Sequence, residues 1–144
     1  MQVDFYQLSR DPAESALAMI ADKALETGAR LLVVSADEAQ LGRISEALWL
    51  RKDSFLAHGA AGGPDDARQP ILLSDTAEPA NAARFVAFAD GRWRDEGLNF
   101  ERVFLLFDGA TLDDARATWR RLDGEEGLVR NYWRQDEGKW VKAG

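Results

Sequence analysis

Cysteine is absent from the 144 residues, and histidine occurs once, at His58. Without thiols there is no disulfide frame, zinc knuckle or cysteine nucleophile. A single imidazole with no nominated serine or thiolate partner makes a weak catalytic base, and a hydrogen-bonded structural histidine in a loop is the expected role. No apolar run approaches the ~20 residues that a membrane helix needs. The opening Met1-Gln2-Val3-Asp4-Phe5 is acidic and strand-like, so a basic-then-apolar secretory signal is not expected. A chain with these absences fits the cytoplasm. Positive charge is also short: 18 Lys and Arg face 25 Asp and Glu, a net of −7. A protein that neutralises several phosphates usually carries a basic total, so direct, sequence-independent DNA binding by the whole chain is not expected.

What is present is globular, with 46% hydrophobic and 30% charged residues. The length predicts a single domain spanning 1–144. The acid surplus sits toward the front. Residues 101–144 hold eight basic and nine acidic side chains, and are nearly balanced and rich in Arg and Trp. That third could receive an anionic peptide.

The pattern predicts a strand over Val3–Leu8, then a helix opened by Asp11 as N-cap with Pro12 at its first position. Leu17, Ile20, Ala21, Ala24 and Leu25 form its apolar stripe, and Gly28 is its stop. Leu31-Leu32-Val33-Val34 reads as a strand buried on both faces. Ser35 to Glu38 reads as a capping box for a second helix carrying Leu41, Ile44 and Leu48. This β-α-β-α order opens a doubly wound sheet. Residues 50–69, rich in Gly, Pro, Asp and Ala, read as a long connection, either functional or mobile. Strands are predicted at Ile71–Ser74, Phe85–Ala89 and Val103–Phe107. A helix from Thr111 follows, with Leu112, Ala115, Trp119 and Leu122, then a closing hairpin from Leu128–Trp133 and Lys139–Val141.

Enzymatic readings find little support. Ser9-Arg10-Asp11-Pro12 stands where a dinucleotide-binding fold needs glycines: proline lacks an amide and aspartate repels phosphate. No Gly-Lys-Ser/Thr triplet exists for a Walker A loop. Asp75, Asp90 and Asp108 each end a predicted strand, where clustered carboxylates could hold magnesium for a phosphoryl-transfer hydrolase. Aspartate is equally the ordinary turn and cap residue at such positions, and no Lys or Ser/Thr set completes a phosphotransfer site.

Two constellations suit binding instead. Trp49 and Phe55 lie with His58 on the connection between a helix and a strand, as core lids or as an exposed aromatic patch. Arg116, Trp119 and Arg120 share one helix edge at i, i+3 and i+4. Tyr132, Trp133, Arg134, Lys139, Trp140 and Lys142 follow in the closing strands. Guanidinium groups clamp a carboxylate at two points while an aromatic wall holds an apolar ring, which suits an acidic peptide with a hydrophobic, free-carboxylate end. The simpler reading puts Trp119 in the core stripe and the arginines on a solvated face.

Taken in order, Val3-Asp4-Phe5-Tyr6-Gln7-Leu8, Glu46-Ala47-Leu48-Trp49, Ser54-Phe55-Leu56-Ala57-His58, Gln69-Pro70-Ile71-Leu72-Leu73-Ser74, Phe100-Glu101-Arg102-Val103 and Leu106-Phe107-Asp108-Gly109 carry a family resemblance. Ala115-Arg116-Ala117-Thr118-Trp119-Arg120 and Tyr132-Trp133-Arg134-Gln135 to Gly138-Lys139-Trp140 extend it to the tail. The chain resembles the chi subunit of bacterial DNA polymerase III holoenzyme. The resemblance implies one α/β Rossmann-like domain, a mostly parallel sheet flanked by helices without a nucleotide-binding glycine loop. It implies a non-catalytic clamp-loader accessory subunit that needs no cofactor or metal. One partner would be the acidic C-terminal tail of the single-stranded-DNA-binding protein, received at Arg116, Trp119 and Arg120 with Trp140 nearby, so that DNA contact is indirect. The other would be the psi subunit or a substitute, such as a helicase, at Trp49 and Phe55. Two departures stand out: Trp119 replaces a tyrosine common in relatives, and Leu112 falls where relatives place a further basic residue. The loop after His58 is also shortened and Gly-rich.

Overall fold

A computed structural model describes residues 1–9, 12–51, 56–136 and 139–144. Asp11, the expected cap, and Phe55 lie outside the described residues. Eight strands form one sheet: β1 (Gln2–Gln7), β2 (Leu31–Val34), β3 (His58–Ala60), β4 (Ile71–Ser74), β5 (Phe85–Phe88), β6 (Arg102–Phe107), β7 (Val129–Asp136) and β8 (Lys139–Lys142). Their order is β3-β4-β2-β5-β6-β1-β7-β8. Every pairing is parallel except β7 with β8. Three helices, α1 (Ala13–Glu26), α2 (Glu38–Trp49) and α3 (Leu112–Arg121), complete the Rossmann-like α/β architecture that the pattern predicts. None is long and apolar enough to cross a membrane.

The central strands are apolar along their whole length because both faces are covered. Leu31 to Val34 are fully buried, with Leu31 and Val33 facing α1 and α2, and Leu32 and Val34 facing the opposite layer. On that opposite side Ala115 of α3 and Leu122 at its end join Phe5, Phe88 and Phe107 in one buried cluster. The α1 stripe is buried at Leu17, Ile20, Ala21 and Ala24, and Gly28 closes the helix with φ +81°, a backbone state suited to glycine.

Three local expectations are corrected. Pro12 occupies the N-cap of α1, with extended backbone and no side-chain cap bond, rather than the first helical position. The cap of α2 is Asp37, whose Oδ1 accepts from the amides of Ala39 (3.0 Å) and Gln40 (3.3 Å). Ser35 is buried two residues earlier, where its hydroxyl donates to Gln40 Oε1 (2.5 Å) and fixes the side chain that reaches Ala89 O (2.9 Å). The stretch read as a loop over 50–69 contains the edge strand β3, with His58 opposite Ile71, and a 3-10 turn at Asp66–Arg68. Three residues of His, Gly and Ala carry no periodic signal; their backbone pairing to β4 makes the strand.

β1 holds the one fully buried carboxylate among the described residues. Asp4 Oδ2 accepts from Arg102 Nε on β6 (2.7 Å), while its Oδ1 accepts from Asn131 Nδ2 (3.0 Å) and Trp133 Nε1 (3.3 Å) on β7. Gln2 Nε2 donates to the same carboxylate. One side chain thus ties its strand to both neighbours, consistent with the rule that buried charge must be paired and hydrogen-bonded.

Candidate functional site

The carboxyl ends of β1, β5 and β6 open onto a hollow of about 820 Å³, in the place where open α/β sheets bind ligands. Its chemistry is wrong for phosphate. Glu14, Glu46, Asp90 and Asp108 line it, and among the described lining residues the only cation, Arg43, is paired with Glu14 at 2.8 Å. Nor do the three strand-end aspartates converge. Asp75 borders a second hollow instead. Asp90 is held by Arg94 (2.8 Å) and by the amide of Ala36 (2.9 Å). Burial pushes its carboxyl up, but the Arg94 guanidinium and the amides of Ala36 and Arg92 outweigh that and hold it below the ordinary value. Asp108 caps its own turn, accepting from Ala110 N and the Thr111 hydroxyl. Among the described residues no group of three His, Asp or Glu side chains could hold a metal ion.

The second hollow, about 440 Å³, lies between the end of α2 and the edge strand β3. Trp49 stands over it, 56% exposed, with its ring centroid 4.4 Å from that of His58. His58 is a structural histidine. Its Nδ1–H donates to Leu56 O (2.9 Å), which leaves Nε2 to accept from the Ser45 hydroxyl (2.7 Å). The imidazole therefore fixes the platform on which the indole lies. Leu50, 76% exposed, borders the first hollow instead, so the end of α2 leaves two exposed apolar side chains, and Trp49 is an exposed aromatic rather than a core lid. Sequence reasoning missed Leu50, since exposure at a helix end has no periodic signature.

The third feature is the edge between α3 and β7. Helical spacing sends Ala115, Thr118 and Leu122 into the sheet and leaves Arg116 and Arg120 exposed on its flank. Trp119 is partly buried, set edge-on against Phe5 (5.1 Å) and Tyr132 (5.7 Å). Arg130 lies over the indole at 4.1 Å and donates to Trp119 O and to Asp123. Strand alternation puts Arg130, Tyr132 and Arg134 on this same face. Arg102, Arg121 and Arg130 each have a carboxylate partner. Among the described residues, none lies within ion-pair distance of Arg116, Arg120 or Arg134, so the edge presents uncompensated positive charge around an aromatic floor.

Trp140 is not part of this edge. It is opposite Gln135 in the β7–β8 register and packs on Tyr6 at 5.0 Å, in the layer of α1 and α2. The sheet separates it from Trp119. Sequence reasoning passed over Arg130 as a component, although the alternation of Arg130, Tyr132 and Arg134 carries the signal.

Both tyrosines of the chain report on these surroundings. Burial, chiefly, lifts the Tyr6 phenol to about 12, with the Asp4 carboxylate adding to it. Burial also raises Tyr132, against the opposing pull of the Arg116 and Arg134 guanidinium groups. Folding favours the neutral phenol in each, so the associated stability is present below pH ~10 and is lost as pH rises through the folded values. Absorbance at 295 nm should therefore show less tyrosinate at pH 10 in the folded protein than in the protein unfolded by urea. Arg116→Ala should push the Tyr132 transition higher; a transition unmoved by that change would mean Arg116 does not face Tyr132.

Residues 1–128 match the family model described as DNA polymerase III chi subunit, HolC; the β7–β8 hairpin lies beyond the matched span. No curated protein matches the chain. With a match over most of its length, on a Rossmann-like sheet whose carboxyl-end hollow is unsuited to phosphate, the chain belongs to the DNA polymerase III chi subunit family and is an accessory subunit in DNA replication.

Proposed function

We propose that this chain is a non-catalytic adaptor of the clamp-loader assembly. Its α3–β7 edge receives the acidic C-terminal tail of the single-stranded-DNA-binding protein, and the end of α2 docks psi or a substitute. The observation that carries the reading is the set of cations Arg116, Arg120 and Arg134, without an ion-pair partner among the described residues, beside Trp119 and Tyr132 on a protein of net charge −7. A free carboxylate accepts from guanidinium groups there, while an apolar terminal side chain rests on the aromatic floor. Trp140, across the sheet, belongs to the fold rather than to this edge. The exposed Trp49 supports the second face, as an aromatic anchor seated beside a hollow. The net negative charge supports a contact with DNA that is indirect, through the coating protein, and a replication adaptor of this kind works in the cytoplasm beside that machinery.

Fluorescence titration with a synthetic acidic peptide ending in phenylalanine and a free carboxylate tests the edge. Micromolar binding, roughly −8 kcal/mol, is expected, weakening as salt is raised. Arg116→Ala should weaken it about tenfold or more. Unchanged affinity at low salt would remove the edge as the site.

A further inference from the structure

One cation of the α3–β7 edge already holds a carboxylate. The last turn of α3 leaves Trp119 O without its helical donor, because the amide of Asp123 turns to Arg120 O (3.2 Å) instead. Arg130 on β7 takes the vacated place. Its Nη1 donates to Trp119 O, its Nη2 donates to Asp123 Oδ1 at 3.0 Å, and its guanidinium carbon lies 4.1 Å from the centre of the Trp119 ring. These bonds use two of the five N–H donors that a guanidinium carries. The pair is uneven. The Arg130 side chain is 20% exposed and held by a ring, a carbonyl and a carboxylate. Asp123 is 74% exposed, and among the described residues no other cation lies within ion-pair distance of it. Arg130 lies beyond residues 1–128, so the family match assigns it no role.

We propose that Arg130 is a further ligand-binding cation of this edge, and that Asp123 is its resting partner, exchanged for a carboxylate of the arriving acidic peptide. This rests on the tail-receiving role proposed above. The exchange is carboxylate for carboxylate on one guanidinium, so Arg130 does not stand unpaired on the indole. Asp123, already mostly in water, returns there with little loss. The neighbourhood tips the balance. Arg116 and Arg134 act on Tyr132, whose ring stands edge-on to Trp119, and they offer an incoming carboxylate guanidinium groups that do not pair with Asp123. Throughout, the Arg130 cation stays on the face of the ring and keeps the aromatic floor in place. A single carboxylate does no better on Arg130 than Asp123 does, whereas a peptide end that carries several reaches the other arginines as well. Asp123 thereby selects multiply acidic ends and lowers the affinity for all of them.

The test is anisotropy titration of the same phenylalanine-ended acidic peptide at one low salt concentration. The proteins are wild type, Asp123→Asn, Glu126→Gln, Arg130→Met, the double variant Asp123→Asn/Arg130→Met, and Arg116→Ala. Asp123→Asn should bind about fivefold more tightly than wild type with no rise in melting temperature, whereas breaking a pair that served the fold alone would not tighten binding. Glu126→Gln removes a neighbouring exposed charge that no described cation pairs, and should stay within about twofold of wild type. Arg130→Met should bind about tenfold more weakly, and adding Asp123→Asn to it should change nothing further. If Arg130→Met does not fold, Asp123→Asn set against Glu126→Gln still decides. Unchanged or weaker binding by Asp123→Asn, alongside loss in Arg116→Ala, overturns the exchange and leaves the edge standing. Equal tightening by Glu126→Gln, or tightening that persists with methionine at 130, also overturns it, as simple removal of charge. Failure of wild type to bind overturns the edge and the exchange together.

Discussion

Replacing Arg102 by methionine should cost about 2–4 kcal/mol of folding stability, a large share of what a domain of this size possesses. The reason is the state in which it leaves Asp4. That carboxylate is fully buried, and Arg102 Nε at 2.7 Å is its one charged partner, the other donors being neutral groups of Gln2, Asn131 and Trp133. Breaking a buried pair from one side usually costs ~3–5 kcal/mol. The lower figure here reflects an arginine side chain that is 33% exposed, so that water can reach the vacated space. The stacking of its guanidinium on Phe104, at 4.7 Å, is lost as well. Urea denaturation checks the size. A second change checks the cause: Asp4→Asn should destabilise the wild type but stabilise the Arg102→Met protein, because it removes the orphaned charge and keeps an acceptor for Asn131 and Trp133. If Arg102→Met stays within about 0.5 kcal/mol of wild type, the pair does not anchor β1.

Trp119→Ala should cost a similar ~2–4 kcal/mol, somewhat under the range for a fully buried ring. The indole packs edge-on against Phe5 and Tyr132 and carries Arg130 on its face. Removing it opens a void against fully buried Phe5 and frees Arg130 from the surface that orients it. Trp119→Phe should restore most of the stability. The urea midpoint should shift with an unchanged slope. Peptide binding should be lost in Trp119→Ala and largely recovered in Trp119→Phe. Stability indifferent to the alanine change would mean that the ring serves the ligand alone. Since the residue is both floor and core, Arg116→Ala is the cleaner probe of binding.

Much of the sheet is legible because its physics is local. Leu31–Val34 and Val103–Phe107 are continuous apolar runs, the signature of strands covered on both faces. The α3 edge is legible for a similar reason, since helical spacing alone groups Arg116, Trp119 and Arg120. Strand β3 is not: Gly59 and Ala60 offer no pattern, and only the neighbouring β4 makes them a strand. The separation of Trp140 from Trp119 is also hidden. Several turn lengths fit Gln135-Asp136-Glu137-Gly138, and each one-residue shift in a hairpin sends every following side chain to the other face. Recognition of the family by the Trp49 and Phe55 stretch is supported at the level of the matched residues 1–128.

The place of β1 between β6 and β7 also governs how the protein comes into being. Gln2 pairs with Arg102 on one side and with Val129 on the other. The first strand of the sheet to be made thus waits until β6, which begins at Arg102, before either neighbour exists, and contacts so distant in sequence slow folding. During that wait Asp4 lacks the arginine, asparagine and tryptophan that will enclose it. A nascent chain halted before β7 therefore has a raw strand edge and none of the groove that β7 completes with α3. The proposed docking edge is thus among the last parts of the sheet to be made.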